Sequence, residues 1–246
     1  MPRFQILNNI DHKDLRVRIE RSAELGDDQW YAVTFPAEFK NVQRHYPIFF
    51  IRHSETGEFQ ATAMFGVEKG ENLFLEDLGW DASYIPLNIL RHPFLIAMQE
   101  GSEGQGESMV SVDVENPRVG TEHGEPVFLE HGGHSPYLEQ VTSMLKVLQE
   151  GMQATKPFFE VLEALDLIES FALDAQLDDG SEHRLAGFYT INEDVLRELD
   201  GEKLAALHQR GFLEPIYMVI ASMVNLPLLL DRKNRRHMTE MENAGD

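Results

Sequence analysis

Pro47-Ile48-Phe49-Phe50-Ile51-Arg52-His53 is followed by Ser54-Glu55-Thr56-Gly57-Glu58 and then by Phe59-Gln60-Ala61-Thr62-Ala63-Met64-Phe65-Gly66-Val67. Two runs of β-branched and aromatic residues flank a stretch of turn chemistry, which predicts a hairpin. The same grammar returns late in the chain. Phe171 to Leu177 and Arg184 to Ile191 flank Asp178-Asp179-Gly180-Ser181, a strong turn sequence. Strands near residue 50 and again near residue 180 favour one shared sheet over two domains. The expected fold class is α+β. A mainly antiparallel sheet is packed by the helices after Ser135, within a single domain spanning residues 1–233.

Further strands are expected on either side of the first hairpin. Leu15 to Ile19 alternates apolar and basic residues, the period of a half-exposed strand. Phe94 to Gln99 and Met109 to Val114 form a second candidate pair, joined by a glycine-rich surface loop over Glu100 to Glu107. Short helices fit Ala37 to His45 and Tyr84 to Leu90. Arg118 to Gly133 carries five glycine or proline positions and reads as an irregular linker.

A helix then starts with Ser135 as N-cap and Pro136 at the first helical position, where a missing amide donor costs nothing. Leu138, Val141, Leu145, Leu148 and Met152 place an apolar stripe on one face. Pro157 should kink or restart that helix. Two more helices are expected at Asp194 to Leu199 and Glu202 to Arg210, the latter closed by Gly211. From Asn234 to Asp246 the chain is polar and expected to fray.

The segment from Glu214 to Leu230 is apolar around nearly its whole circumference, and Arg232, Lys233, Arg235 and Arg236 follow it. Lipid or a protein core could bury such a helix. Glu214, Asn225, Pro215 and Pro227 favour the core, so the expectation is a central helix interrupted or ended near Pro227, without stable membrane insertion. The predicted core comprises Phe49, Ile51, Phe65, Phe74, Trp80, Leu145, Leu148, Phe188, Ile220 and Val224.

Charge narrows the function classes. The 246 residues hold 21 Lys and Arg against 42 Asp and Glu, a net charge of −21. Such a chain is a poor general nucleic-acid binder, because phosphate affinity comes mainly from basic side chains. The acidity itself reads most simply as solubility. With no cysteine, thiolate catalysis, disulfides and cysteine-ligated metals are excluded. Met1 to Asn9 lacks the apolar core of a secretory signal, so a cytoplasmic protein is expected.

Several segments carry a family resemblance. They are His12-Lys13-Asp14-Leu15-Arg16-Val17, Arg44-His45-Tyr46-Pro47 and Gly70-Glu71-Asn72-Leu73-Phe74. After them come Trp80-Asp81-Ala82-Ser83-Tyr84-Ile85-Pro86, Arg91-His92-Pro93-Phe94, Gly124-Glu125-Pro126-Val127-Phe128 and Ser135-Pro136-Tyr137-Leu138. Ala186-Gly187-Phe188 and Pro215-Ile216-Tyr217 complete the series. In order and spacing they resemble the SapC family, bacterial proteins named for a link to surface-layer protein secretion. The resemblance implies an intracellular accessory role and supplies no catalytic residue. A permease-like description suits this chain poorly, since one helix-length apolar run cannot build a permease.

Three constellations could carry chemistry. Asn72, Trp80, Tyr84 and Arg91 could grip a peptide or an acidic ligand through stacking and bidentate hydrogen bonds. His123, His131 and His134, with Glu130, could hold zinc or non-haem iron, though not at the spacing a helix gives such ligands. His45 beside Tyr46, with His12 in support, has the residue types for acid–base work but no nucleophile at recognisable spacing. No phosphate-binding loop, nucleophile elbow or His-Glu-x-x-His motif occurs. The expected function is therefore a non-enzymatic binding or accessory protein with a protein or peptide partner and no cofactor. The alternative is a metal-dependent enzyme acting on a peptide or small molecule.

Overall fold

The structure, a computed structural model, describes residues 2–100 and 106–244. Gly101 to Gln105, the centre of the expected glycine-rich loop, lie outside the described residues. In chain order the first elements are β1 (Phe4–Ile6), β2 (Arg16–Val17), β3 (Tyr31–Thr34), α1 (Phe39–Val42), β4 (Ile48–Arg52) and β5 (Phe59–Met64). Then come β6 (Leu75–Glu76), β7 (Gly79–Trp80), α2 (Leu87–Leu90), β8 (Phe94–Glu100), β9 (Gly106–Asp113), β10 (Val119–Gly120) and β11 (Glu125–Pro126). The long helix α3 (Pro136–Ala164) leads to β12 (Ile168–Gln176), β13 (Glu182–Ile191), α4 (Glu193–Glu198), α5 (Gly201–Gln209), α6 (Leu213–Ser222) and α7 (Asn225–Ala244).

Both predicted hairpins form, and they share a sheet. Its five antiparallel strands run β12-β13-β4-β5-β3, with Phe188 opposite Ile51 where the hairpins meet. Aromatic side chains fill its faces: Phe50 packs edge-on against Phe159, and Phe49 lies against Phe171 and Phe188. The fold is α+β as expected, but its strands do not all join one sheet. β1, β9 and β8 form a second sheet, and the two-residue strand β2 is pinned between β10 and β11. The segment expected as a linker is thus held along its length. Gly124 makes the close approach possible, because a Cβ there would sit 2.3 Å from the Val17 carbonyl oxygen.

α3 begins as the sequence dictates, with the Ser135 hydroxyl accepting the Leu138 amide at 3.1 Å. It does not break at Pro157. The helix runs on to Ala164, and Phe158, Phe159 and Leu162 are buried immediately after the proline. Packing of that aromatic turn outweighs the lost backbone bond, which costs about 3 kcal/mol in an isolated helix.

At roughly 44 Å by its 29 residues, α3 spans two apolar clusters. Its first half (Leu138, Val141, Leu145, Leu148) packs with Leu15, Val17, Phe35, Phe94 and Val112. Its second half packs under the five-stranded sheet. Gly151 marks the crossing: a Cβ there would lie 2.2 Å from the Phe35 ring.

The C-terminal region departs most from expectation. The apolar segment forms two helices, and the break falls at Met223–Val224, ahead of Pro227, which sits in the first turn of α7. Burial is confined to one face: Pro215, Ile216, Val219, Ser222, Leu226 and Leu229 face the core, whereas Tyr217, Val224 and Leu228 are exposed. Val224, expected in the core, is 68% accessible. By length and composition, Leu213–Thr239 is the one membrane-span candidate among the described residues. Its polar groups serve the fold. Ser222 accepts the Ile48 amide at 2.8 Å, and Asn225 donates to the Gln43 carbonyl at 2.8 Å. Of the tail expected to fray, residues 234–244 continue α7, whose basic side chains reach back onto the body, and Gly245 and Asp246 lie outside the described residues.

Candidate functional site

The loop from Gly66 to Pro86 carries most of the expected binding residues, and α7 clamps it. Arg232 lies 4.4 Å over the Phe74 ring and pairs with Asp81 at 2.8 Å. Lys233 pairs with Glu71 at 2.6 Å and Glu68 at 3.4 Å. Burial works against the Lys233 charge, but these carboxylates prevail and its pKa is raised. Arg236 donates to the carbonyls of Asn72 and Leu75. Three members of the basic run that resembles a membrane flank are therefore spent on tertiary contacts.

Beneath the loop lies a buried polar node. Trp80 donates its indole N–H to the Tyr46 hydroxyl at 2.7 Å, and that hydroxyl donates to the Tyr84 carbonyl at 2.5 Å. The Tyr84 hydroxyl donates to Glu38 at 2.7 Å, and the same carboxylate accepts from the Leu87 amide and from Thr34. Burial pushes the Glu38 carboxyl up against those hydrogen bonds. Burial also raises both phenols, at Tyr84 with help from Glu38, so each stays a donor. These hydrogen bonds position the loop.

The four expected binding residues do not converge on one cavity. Trp80 and Tyr84 share the Tyr46 node. Asn72 is buried, donates to the Asp27 carbonyl at 2.7 Å and accepts the Phe74 amide at 3.0 Å. Arg91 is spent on Asn88 at 2.6 Å and on the Phe94 carbonyl at 3.1 Å.

The histidine expectations fare differently. His123, His131 and His134 are exposed, and the His134 ring leans on Phe128. Among the described residues no group of three His, Asp or Glu side chains is placed to hold a metal. The three histidines that Gly124, Gly132 and Gly133 separate in sequence are thus not brought together as one ligand set. His45 contacts Ser83 at 2.8 Å, and its pKa is lowered first by burial, then by Arg44 and Arg232. His12 is buried and tied to the Asn8 amide and to Gln5.

Sequence reasoning missed two features. One is a buried charge cluster, in which Arg118, 1% accessible, meets Asp27 and donates to the carbonyls of Arg18 and Glu20. Arg21 reaches the other Asp27 oxygen at 3.3 Å. Nothing in the local pattern sets Arg118 apart from the other arginines. The second is the turn between β6 and β7. Leu78 at its tip is 103% accessible, and the turn borders a depression of about 620 Å³ lined by Leu75, Glu76, Arg235, Arg236 and Thr239. An exposed Leu flanked by Asp77 and Gly79 could have been noticed.

A model of the SapC family matches residues 7–229, so the chain belongs to that family. No curated protein and no solved structure matches it.

Proposed function

We propose that this SapC-family member is a non-enzymatic binding or accessory protein, whose protein or peptide partner docks over the β6–β7 turn beside α7. The observation that supports this reading is the fully accessible Leu78 on a turn whose base is held by Arg232 and Arg236. A turn already fixed loses little conformational freedom on binding. Burying the exposed Leu78 side chain would contribute about 1.5–3 kcal/mol, and arginines are enriched among the residues that carry binding energy at interfaces. Trp80 and Tyr84 support the turn from below and are not reagents. The family's association with surface-layer export suggests an exported or surface-layer protein as the partner class. A cytoplasmic location is part of this reading, and cell fractionation without detergent would check it.

The test is site-specific photo-crosslinking from position 78 in cells, with the adduct identified by mass spectrometry. One dominant protein adduct is expected, and Leu75→Asp with Leu78→Asp should lower recovery of that partner at least about tenfold. An adduct pattern unchanged by these substitutions would overturn the reading.

A further inference from the structure

α7 has two opposite faces with different chemistry. Leu226, Leu229, Lys233 and Arg236 turn toward the body, while Leu228, Asp231, Arg235 and Met238 turn outward and are exposed, as is Val224 in the turn just before the helix. The outward residues alternate four and three apart, the spacing of a coiled-coil seam, within a stripe about 80° wide. Val224, Leu228 and Met238 are 68%, 54% and 53% accessible. Between Leu228 and Met238 stand Asp231 and Arg235, whose side chains take no hydrogen-bond or ion-pair partner among the described residues.

The order of these residues is self-complementary. A two-fold axis passing midway between Asp231 and Arg235 places each of them opposite the other in an antiparallel copy. The same axis places Leu228 opposite the partner's Met238, and Met238 opposite the partner's Leu228. An isologous interface requires this reciprocity. Other arrangements fail on charge. Parallel pairing sets Asp231 against the partner's Asp231. Sliding the antiparallel pair by one heptad sets Asp231 against the partner's Leu228, or Arg235 against the partner's Met238.

We propose that two copies associate through α7, antiparallel, with Asp231 of each opposite the partner's Arg235. Arg235 also lines the depression beside the β6–β7 turn, whereas Asp231 does not, so Asp231→Arg tells this association from the partner proposed there. Each copy carries a net charge of −21. The measurement therefore belongs near physiological ionic strength, where repulsion beyond about 8 Å is screened.

Sedimentation equilibrium of the full chain up to about 100 μM should give twice the 28.1 kDa chain mass. Asp231→Arg and Arg235→Asp should each weaken association at least about tenfold by setting like charges face to face. The double variant should recover to within about threefold, since the reciprocal pair is restored with its signs exchanged. Both positions are exposed, and circular dichroism would establish that each variant remains folded. A monomer throughout that range, or a double variant no tighter than the singles, would overturn the proposal. So would a monomeric chain that instead sediments with phosphatidylcholine–phosphatidylglycerol vesicles, which would assign the stripe to a lipid surface.

Discussion

The two halves of α3 sit in unlike surroundings. Its C-terminal half lies under the five-stranded sheet, in a cluster with eleven buried or half-buried phenylalanines, where Phe158 and Phe159 pack edge-on against Phe39 and Phe50. Its N-terminal half lies in a smaller cluster whose neighbours are short strands and the buried Arg118–Asp27–Arg21 group. The first region is held by area removed from water, which is non-directional and tolerant. The second relies on charges whose desolvation must be met by specific partners. Equal burial therefore does not mean equal tolerance of substitution.

The largest expected effect tests whether the aromatic region stands without its last helices. A chain ended after Gly211 loses Ile216, Val219, Leu226 and Leu229 from the core, and the Ser222 acceptor of the Ile48 amide. It should be recovered as insoluble protein, and a soluble truncation with native circular dichroism would contradict this account. Next, Arg118→Ala and Phe158→Ala should each cost about 3–5 kcal/mol in urea denaturation, one by stranding Asp27, the other by opening a cavity. The regions should then diverge. Replacing Arg118 and Asp27 together by Met and Leu should cost clearly less than Arg118→Ala, because no buried charge is left behind.

Acid should act through the second region. Burial, with Arg91, Arg118 and Arg21 nearby and only Asp27 opposing, lowers the His92 pKa to about 4. Between that value and its ordinary 6.5, the unfolded chain binds a proton that the folded chain does not. Stability from this group is therefore full above about pH 6.5 and falls as pH drops toward 4, by up to about 3 kcal/mol. Urea midpoints measured at both pH values should lose part of their difference in His92→Gln. An undiminished difference would assign the acid sensitivity elsewhere.

The smallest effect concerns the junction. Gly151→Ala should cost about 1–3 kcal/mol, because the new methyl must push Phe35 aside. Gly151→Ala combined with Phe35→Leu should recover part of that loss in the same assay. No recovery would mean that the two clusters do not meet where the ring and the glycine touch.

What could be read from the sequence follows the same division. The hairpins at Ile48–Met64 and Ile168–Ile191, and the Ser135 cap, are local patterns with a single period, and they form where the pattern places them. Pro157 misleads because its local rule is outweighed by the packing of Phe158 and Phe159. The Glu214–Leu230 segment misleads for another reason: an apolar circumference states what could be buried, not which face a neighbour covers. The binding residues Asn72, Trp80, Tyr84 and Arg91 stand out as residue types. Their commitment to internal bonds depends on Asp27, Tyr46, Asn88 and Glu38, which sequence spacing does not bring near. Arg118 was beyond reach for the same reason: its partner Asp27 lies 91 residues away.

The strand order of the large sheet also sets a schedule during synthesis. β3, β4 and β5 are made together, yet Ile51 finds its other neighbour only in Phe188. At about 5–20 residues per second, the ribosome needs roughly 7 to 27 seconds to make the intervening chain. Throughout that interval the outer edge of β4, rich in phenylalanine, has no strand beside it. The nascent chain is thus most exposed to misassociation before β13 emerges, a hazard fixed by topology and independent of how stable the finished protein becomes.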